Sequence, residues 1–215
     1  MIKAFAFDLD GLLVDSEPLW EKTSTEIMKS FGMEWDSNDQ ELTTGISVIK
    51  CAEYMCKKTR SSISILEMKD KLVDNMVSLL EDGIKPMEGA NDILELTSQF
   101  PKAIASSSPI IIIRKVIKKM GWEKHFDFIV SGDEIKDGKP APDIYLFVCK
   151  GFNIQPENLI VFEDSANGVL SAIKARTRCV CVKSPIISPP VEILKKADLV
   201  LNSLNEFTLD MLEFY

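Results

Sequence analysis

Asp8-Leu9-Asp10-Gly11 is the densest piece of candidate chemistry in the sequence. Residues two apart on an extended chain point the same way, and Gly11 permits a sharp exit. A carboxylate pair about 5 Å apart repels by about 3 kcal/mol at an effective dielectric near 20. Glu163 and Asp164 form a second acidic pair. If folding brings all four acids to one edge, either some stay protonated or a cation sits among them. No Cys or His stands beside them, so the donor set suits an oxygen-preferring divalent ion, Mg2+. A single acid at a strand end reads more simply as a cap, but the constellation does not. Ser106 offers its hydroxyl and the amides that follow it to a phosphate oxygen, although alone it reads as a helix N-cap. Lys139 lies in Asp137-Gly138-Lys139-Pro140-Ala141-Pro142, a loop constrained by prolines. A fixed ammonium there can offset both a phosphate and the acids; in isolation it would be a solvated surface lysine.

Together these residues specify phosphoryl transfer. A metal and a lysine neutralise a dianion while a carboxylate attacks phosphorus in line, giving an aspartyl-phosphate. A second carboxylate must protonate the leaving oxygen and then take a proton from water. Asp8 ends a rigid strand and suits the first role. Asp10, further out on the exit loop, suits the second.

The elements that must position these groups follow from hydrophobic periodicity. Residues 1–10 read as a strand ending in the first acid pair. Helices are expected over 17–31, with Ser16 as N-cap and Pro18 in the first turn, then over 48–59 and 64–81. Lys85-Pro86-Met87-Glu88-Gly89 breaks this helical run. From there helices at 90–100, 110–120, 142–152 and 166–175 alternate with strands at 102–106, 128–131, 159–162, 179–182 and 199–201, before a terminal helix. Gly121 reads as a helix stop. Short apolar strands alternating with amphipathic helices mean βαβ units and a parallel sheet covered on both faces. The expected fold is α/β, a doubly wound, Rossmann-like parallel-sheet core with an inserted all-helical cap. The core takes residues 1–15 and 86–215, and the cap residues 16–85. Ligands of such sheets bind beyond the carboxyl ends of the strands. Asp8, Asp10, Ser106, Ser107, Ser108, Glu163 and Asp164 all fall there, with Lys139 in the loop after the third strand.

Composition narrows the function. The 215 residues carry 25 Lys plus Arg against 33 Asp plus Glu, a net charge of -8. A protein gripping a nucleic-acid backbone needs a basic face, so no nucleic-acid partner is expected. No apolar run approaches the length of a membrane span, and the first apolar run is too short for a signal peptide. The five cysteines, Cys51, Cys56, Cys149, Cys179 and Cys181, are an odd and scattered set. They read as free thiols in a reducing cytoplasm, and a monomer is the default. Cys179 and Cys181 would share one side of a strand, but no companion ligands support a metal pair. With His125 the sole histidine, a His-based relay has no material.

Phe7-Asp8-Leu9-Asp10-Gly11-Leu12-Leu13-Val14-Asp15-Ser16-Glu17-Pro18, with Ser106, Lys139-Pro140-Ala141-Pro142-Asp143 and Glu163-Asp164-Ser165-Ala166-Asn167-Gly168, resembles the haloacid dehalogenase superfamily. The match is to the branch with a helical cap, which includes 2-deoxyglucose-6-phosphate and other hexose-phosphate phosphatases and β-phosphoglucomutase. The resemblance implies Asp8 as nucleophile and Mg2+ ligand. It implies Asp10 as general acid/base, lending a backbone carbonyl to the metal. Ser106 and the Ser107 amide would hold the phosphoryl group, and Lys139 would bridge Asp8 and the phosphate. Asp164 would ligate Mg2+, with Glu163 a direct or water-linked ligand. Glu17, Trp20, Thr44 and Ile46 are the candidate cap residues facing a small phosphorylated metabolite, with Trp20 and Ile46 equally readable as packing. β-Phosphoglucomutase carries a cap histidine and a basic loop where this chain has Trp20 and Thr44-Gly45-Ile46-Ser47-Val48. Those losses favour a monophosphate phosphatase over a mutase, which must bind a bisphosphate. A receiver-type phospho-acceptor domain also has an acidic cluster and a lysine, but it is shorter and lacks the cap. A silent binding protein on this scaffold would not need the intact motifs.

Overall fold

The computed structural model describes residues 1–184 and 188–214. Strands β1 (Ala4–Phe7), β2 (Lys102–Ser106), β3 (Phe128–Ser131), β4 (Leu159–Glu163), β5 (Arg178–Val182) and β6 (Leu199–Leu201) form one sheet. Its order is β3-β2-β1-β4-β5-β6, and every neighbouring pair is parallel. β1 and β4 are therefore central neighbours, with Phe7 opposite Phe162. The residues that follow them, Asp8 on one strand and Glu163-Asp164 on the other, emerge side by side at the same edge.

Alternation along β1 sends Phe5 and Phe7 to one face and Ala4 and Ala6 to the other. The phenylalanine face stacks on Phe162 and is covered by α5 (Ala90–Leu96) and α6 (Ile110–Met120). The alanine face, widened by Ala103 and Ala105, leaves room for the larger side chains of α7 (Asp143–Phe152), among them the fully buried Tyr145. α8 (Ala166–Lys174) covers the same face with Val169 and Ala172. Small residues on the sheet thus set how closely α7 approaches, which brings Tyr145 beneath the functional edge.

Between β1 and α5 the chain forms α1 (Glu17–Ser30), α2 (Ser37–Thr43), α3 (Val48–Thr59) and α4 (Ile65–Asp82). They bury their own apolar cluster of Ile27, Met28, Val48, Ala52, Met55, Met68 and Leu72. α4 belongs to both clusters: Met68 and Leu72 face its helical neighbours, whereas Met76 and Leu80 enter the sheet-side core. Among the described residues no helix is long and apolar enough to cross a membrane.

Several local expectations are corrected. The first strand is four residues, Ala4–Phe7, although the Asp8 amide still donates to the Phe162 carbonyl at 3.1 Å. α5 stops at Leu96, and the expected terminal helix is a 3-10 run over Leu209–Phe214 after the short helix Val191–Leu194. α2 was not foreseen; it is short and polar, but an Asp36/Asp39 capping box builds its start. Ser16 stands at the N-cap of α1 without capping it, since its hydroxyl is turned toward Asp10. Gly121 ends α6 in the left-handed region as read from sequence.

Candidate active site

Asp8, Glu163 and Asp164 each offer a carboxylate oxygen within 4.8 Å of the others, and all three are buried. Lys139 reaches them from the loop before α7, with its side chain 2% exposed. Its Nζ donates to Asp8 Oδ1 at 2.5 Å, to Glu163 Oε1 at 2.5 Å and to the Ala105 carbonyl at 2.9 Å. The ammonium's three protons thus have three acceptors, so Lys139 is a fixed cation. Tyr145 donates its hydroxyl to the same Glu163 oxygen from below, and its ring lies 5.3 Å from the ammonium. The other Glu163 oxygen accepts from the Asp164 amide at 3.2 Å and the Ser165 hydroxyl at 3.2 Å.

Two glycines make this approach possible. A Cβ on Gly168 would stand 1.9 Å from the Glu163 carboxylate carbon. One on Gly11 would stand 2.3 Å from Asp164 Oδ2, and Gly11 also takes a positive φ of 80° that L side chains rarely adopt.

The electrostatics of the cluster do not balance internally. Burial pushes the Asp8 carboxyl up to about 8, with Glu163 and Asp10 adding to the rise and Lys139 opposing it. Burial likewise raises Asp164 well above the carboxylate range, reinforced by Asp8 and Glu163. Burial works against the charge on Lys139, but Asp8 and Glu163 outweigh it and hold the ammonium above the ordinary lysine range. One cation thus faces three buried carboxylates, leaving the group short of positive charge. Asp164 Oδ1 is buried without a hydrogen-bond partner. An orphaned carboxylate oxygen within reach of two other acids fits an oxygen-ligated divalent cation.

Asp10 is held apart from this cluster. Its Oδ1 accepts from Ser16 at 2.8 Å and from the Trp20 indole at 3.1 Å. Its Oδ2 accepts from Ser106 at 3.0 Å and Ser108 at 2.8 Å. The four acids of the sequence reading therefore divide into a buried triplet and a separately clamped Asp10. Ser106 is fully buried; its hydroxyl faces Asp10 and accepts the Ser108 amide at 3.0 Å. Ser107 lines the open side and donates to the Gly45 carbonyl at 3.3 Å. Trp20 lines the same cavity, but its polar edge is committed to Asp10. Glu17, Thr44 and Ile46 also line it.

Ser108, Tyr145 and Gln40 were not assigned roles from sequence. Ser108 had a signal, as the third member of the serine run. Tyr145 had none, because it reads as one more apolar residue of α7. Gln40 was hidden by the unforeseen α2.

Residues 5–182 match the model of the haloacid dehalogenase-like hydrolases. The chain belongs to this family. Among haloacid dehalogenase-like relatives, the hexitol phosphatase B of Escherichia coli is 29% identical over 212 residues, 96% of this chain and 95% of that protein. A phosphorylated carbohydrates phosphatase of Thermotoga maritima is 29% identical over 176 residues, 81% and 82% of the two chains. Among solved structures, β-phosphoglucomutase from Clostridium difficile superposes with a TM-score of 0.86 at 27% identity, covering 100% of this chain and 96% of that one.

Proposed function

We propose that this protein is a Mg2+-dependent phosphatase of small phosphomonoesters, with sugar phosphates as the substrate class, working through an aspartyl-phosphate. The observation that carries this reading is the buried triplet Asp8, Glu163 and Asp164, with an orphaned Asp164 oxygen, facing the fixed ammonium of Lys139. The names of the relatives, a hexitol phosphatase and a phosphorylated carbohydrates phosphatase, support the substrate class.

In this reading residues 1–15 and 86–215 are the catalytic core and residues 16–85 a cap over it. Asp8, the Asp10 carbonyl, Asp164 and Glu163, directly or through water, hold the metal. Bound Mg2+ supplies charge neutralisation for the phosphoryl oxygens. An Asp8 oxygen attacks phosphorus, and the bond from phosphorus to the leaving oxygen breaks as the new one forms. Asp10 gives a proton to that leaving oxygen. Asp10 then takes a proton from water, whose oxygen attacks phosphorus and frees Asp8 and inorganic phosphate. Ser107 and Lys139 would meet the phosphoryl oxygens, Lys139 by giving up one of its three acceptors, and Ser106 would join them by turning its hydroxyl from Asp10. The five free cysteines suit a reducing cytoplasm. Lys139 is the one cation among the described residues lining the cavity, so nothing there matches the second phosphate that a mutase must hold.

The test is a panel of sugar phosphates assayed with Mg2+ and with EDTA, alongside Asp8→Asn and Asp10→Asn. Phosphate release that needs Mg2+ and collapses in both variants is expected. Metal-independent turnover, or full activity in Asp8→Asn, overturns the reading. Isomer formation faster than phosphate release would replace it with a mutase.

A further inference from the structure

The cap side of the cavity contains an oriented polar chain that the proposed mechanism does not use. The Trp35 indole donates to Gln40 Oε1 at 2.9 Å, and Gln40 Nε2 donates to Glu17 Oε2 at 3.1 Å. An indole N–H can only donate, so Trp35 fixes which end of the Gln40 amide faces Glu17. Gln40 sits on α2, which is itself anchored: the buried Asp39 accepts from Tyr54 at 2.5 Å and pairs with Lys58, both on α3. The Glu17 carboxyl is thus held at the cavity wall by Gln40 and the neighbouring Thr44 hydroxyl, and its two oxygens offer more acceptor sites than these contacts use. The rest of that wall is neutral, with Ser24, Thr43, Thr44, Ile46 and Cys51.

Resting on the phosphatase reading, we propose that the Trp35–Gln40–Glu17 chain is the specificity device of this site, with Glu17 reading a hydroxyl on a neutral, hydroxylated leaving group and repelling acidic ones. A hydroxyl both donates and accepts, so it can satisfy a carboxyl that an alkyl or aryl group would leave unpaired. Burial, with the charge of Asp10 behind it, pushes Glu17 up to about 7, which lets the carboxyl serve as acceptor or donor near neutrality. A leaving group with its own carboxylate or second phosphate meets Glu17, Asp10 and, among the described residues lining the cavity, no cation beyond Lys139. The pocket therefore selects monophosphates of neutral polyols and sugars over phosphorylated acids and bisphosphates.

The experiment compares kcat/KM for glucitol 6-phosphate, 2-phosphoglycolate and phenyl phosphate, with Mg2+, in the wild type, Glu17→Gln and Gln40→Leu. The wild type should rank glucitol 6-phosphate first and 2-phosphoglycolate last. Glu17→Gln should narrow the ratio of glucitol 6-phosphate to 2-phosphoglycolate by about 10- to 100-fold. Gln40→Leu should narrow it in the same direction by less, chiefly through a higher KM for glucitol 6-phosphate. An equal fall on all three substrates in both folded variants means a merely structural role and overturns the inference. A wild type that prefers 2-phosphoglycolate overturns it too. A wild type that turns over none of the three removes the phosphatase reading itself, and this inference with it.

Discussion

Asp8→Asn should make the metal-free protein more stable at pH 8 while abolishing turnover. Asp8 is held at about 8 in the folded chain against an ordinary value of 3.8, with burial as the main cause. A carboxyl raised on folding contributes stability below its unfolded value and loses it as pH climbs to the folded one. The window here runs from about pH 4 to about pH 8. At 1.36 kcal/mol per unit of difference, the full cost of ionising Asp8 by pH 8 is about 5 kcal/mol. Were Asp164 also ionised, the repulsion between oxygens no more than 4.8 Å apart would be at least about 3 kcal/mol at an effective dielectric of 20. Asparagine has nearly the same shape and carries no charge, and the value of about 8 already includes the attraction of Lys139, so the net gain should approach about 5 kcal/mol at pH 8. At pH 5 the protonated aspartate and the asparagine are close to equivalent, and the gain should vanish. Urea denaturation in EDTA at pH 5 and pH 8 reads this directly, as a shift in midpoint with an unchanged slope. Added Mg2+ should close the gap at pH 8 by stabilising the wild type more than the variant. A variant less stable than the wild type at pH 8, or one offset equally at both pH values, would refute the charge argument.

Lys139→Met should act in the opposite direction, costing about 3–5 kcal/mol in EDTA at pH 8 by leaving three buried carboxylates without their cation. Part of that loss should return at pH 5, and a pH-independent loss would point to packing instead. Trp20→Phe removes the indole donor 3.1 Å from Asp10 Oδ1 and keeps the ring; kcat should fall about 3- to 10-fold. Esters with poor leaving groups should suffer most, so a uniform fall in steady-state assays would contradict a role through Asp10. Gly168→Ala drives a methyl into the Glu163 carboxylate, 1.9 Å away. A loss of about 1–3 kcal/mol is expected by thermal or urea unfolding, together with a weaker Mg2+ midpoint in titrations; an unshifted Mg2+ midpoint would show that Glu163 has no part in holding the metal.

The clustering of Asp8, Glu163 and Asp164 was legible because it follows from chain topology. Each follows a short apolar strand, and a doubly wound sheet places the ends of adjacent strands together. The rest depended on which way side chains turn. Asp8 and Asp10, two apart, were expected to share a direction as on a strand. The chain turns at Gly11, and Asp10 instead takes up four donors from Ser16, Trp20, Ser106 and Ser108. Trp20 read as a substrate-facing or packing side chain because periodicity shows the face of a residue but not the partner of its indole N–H. α2 escaped because a seven-residue polar helix has no apolar stripe; its capping box was the available signal.

The two acid sites are stabilised by opposite means, and this separates their chemistry. Asp10 is surrounded by four donors, so its charge is matched by neutral hydrogen-bonding groups that can follow it as protons move. Two of those donors, Ser16 and Trp20, come from the start of α1, and two from the end of β2. Motion of α1 relative to the sheet would therefore change the donor count on Asp10 without touching the triplet. Asp8 and Asp164 have no such surplus: one oxygen of Asp164 is unpaired, and their charge is matched only by Lys139 and by whatever cation joins them. A carboxylate ringed by donors suits taking up a proton, and a group left short of positive charge suits binding a cation. The instability expected of the metal-free triplet at high pH is thus the energetic counterpart of its affinity for a divalent ion. The same substitution that relieves it, Asp8→Asn, removes the carboxylate proposed as nucleophile.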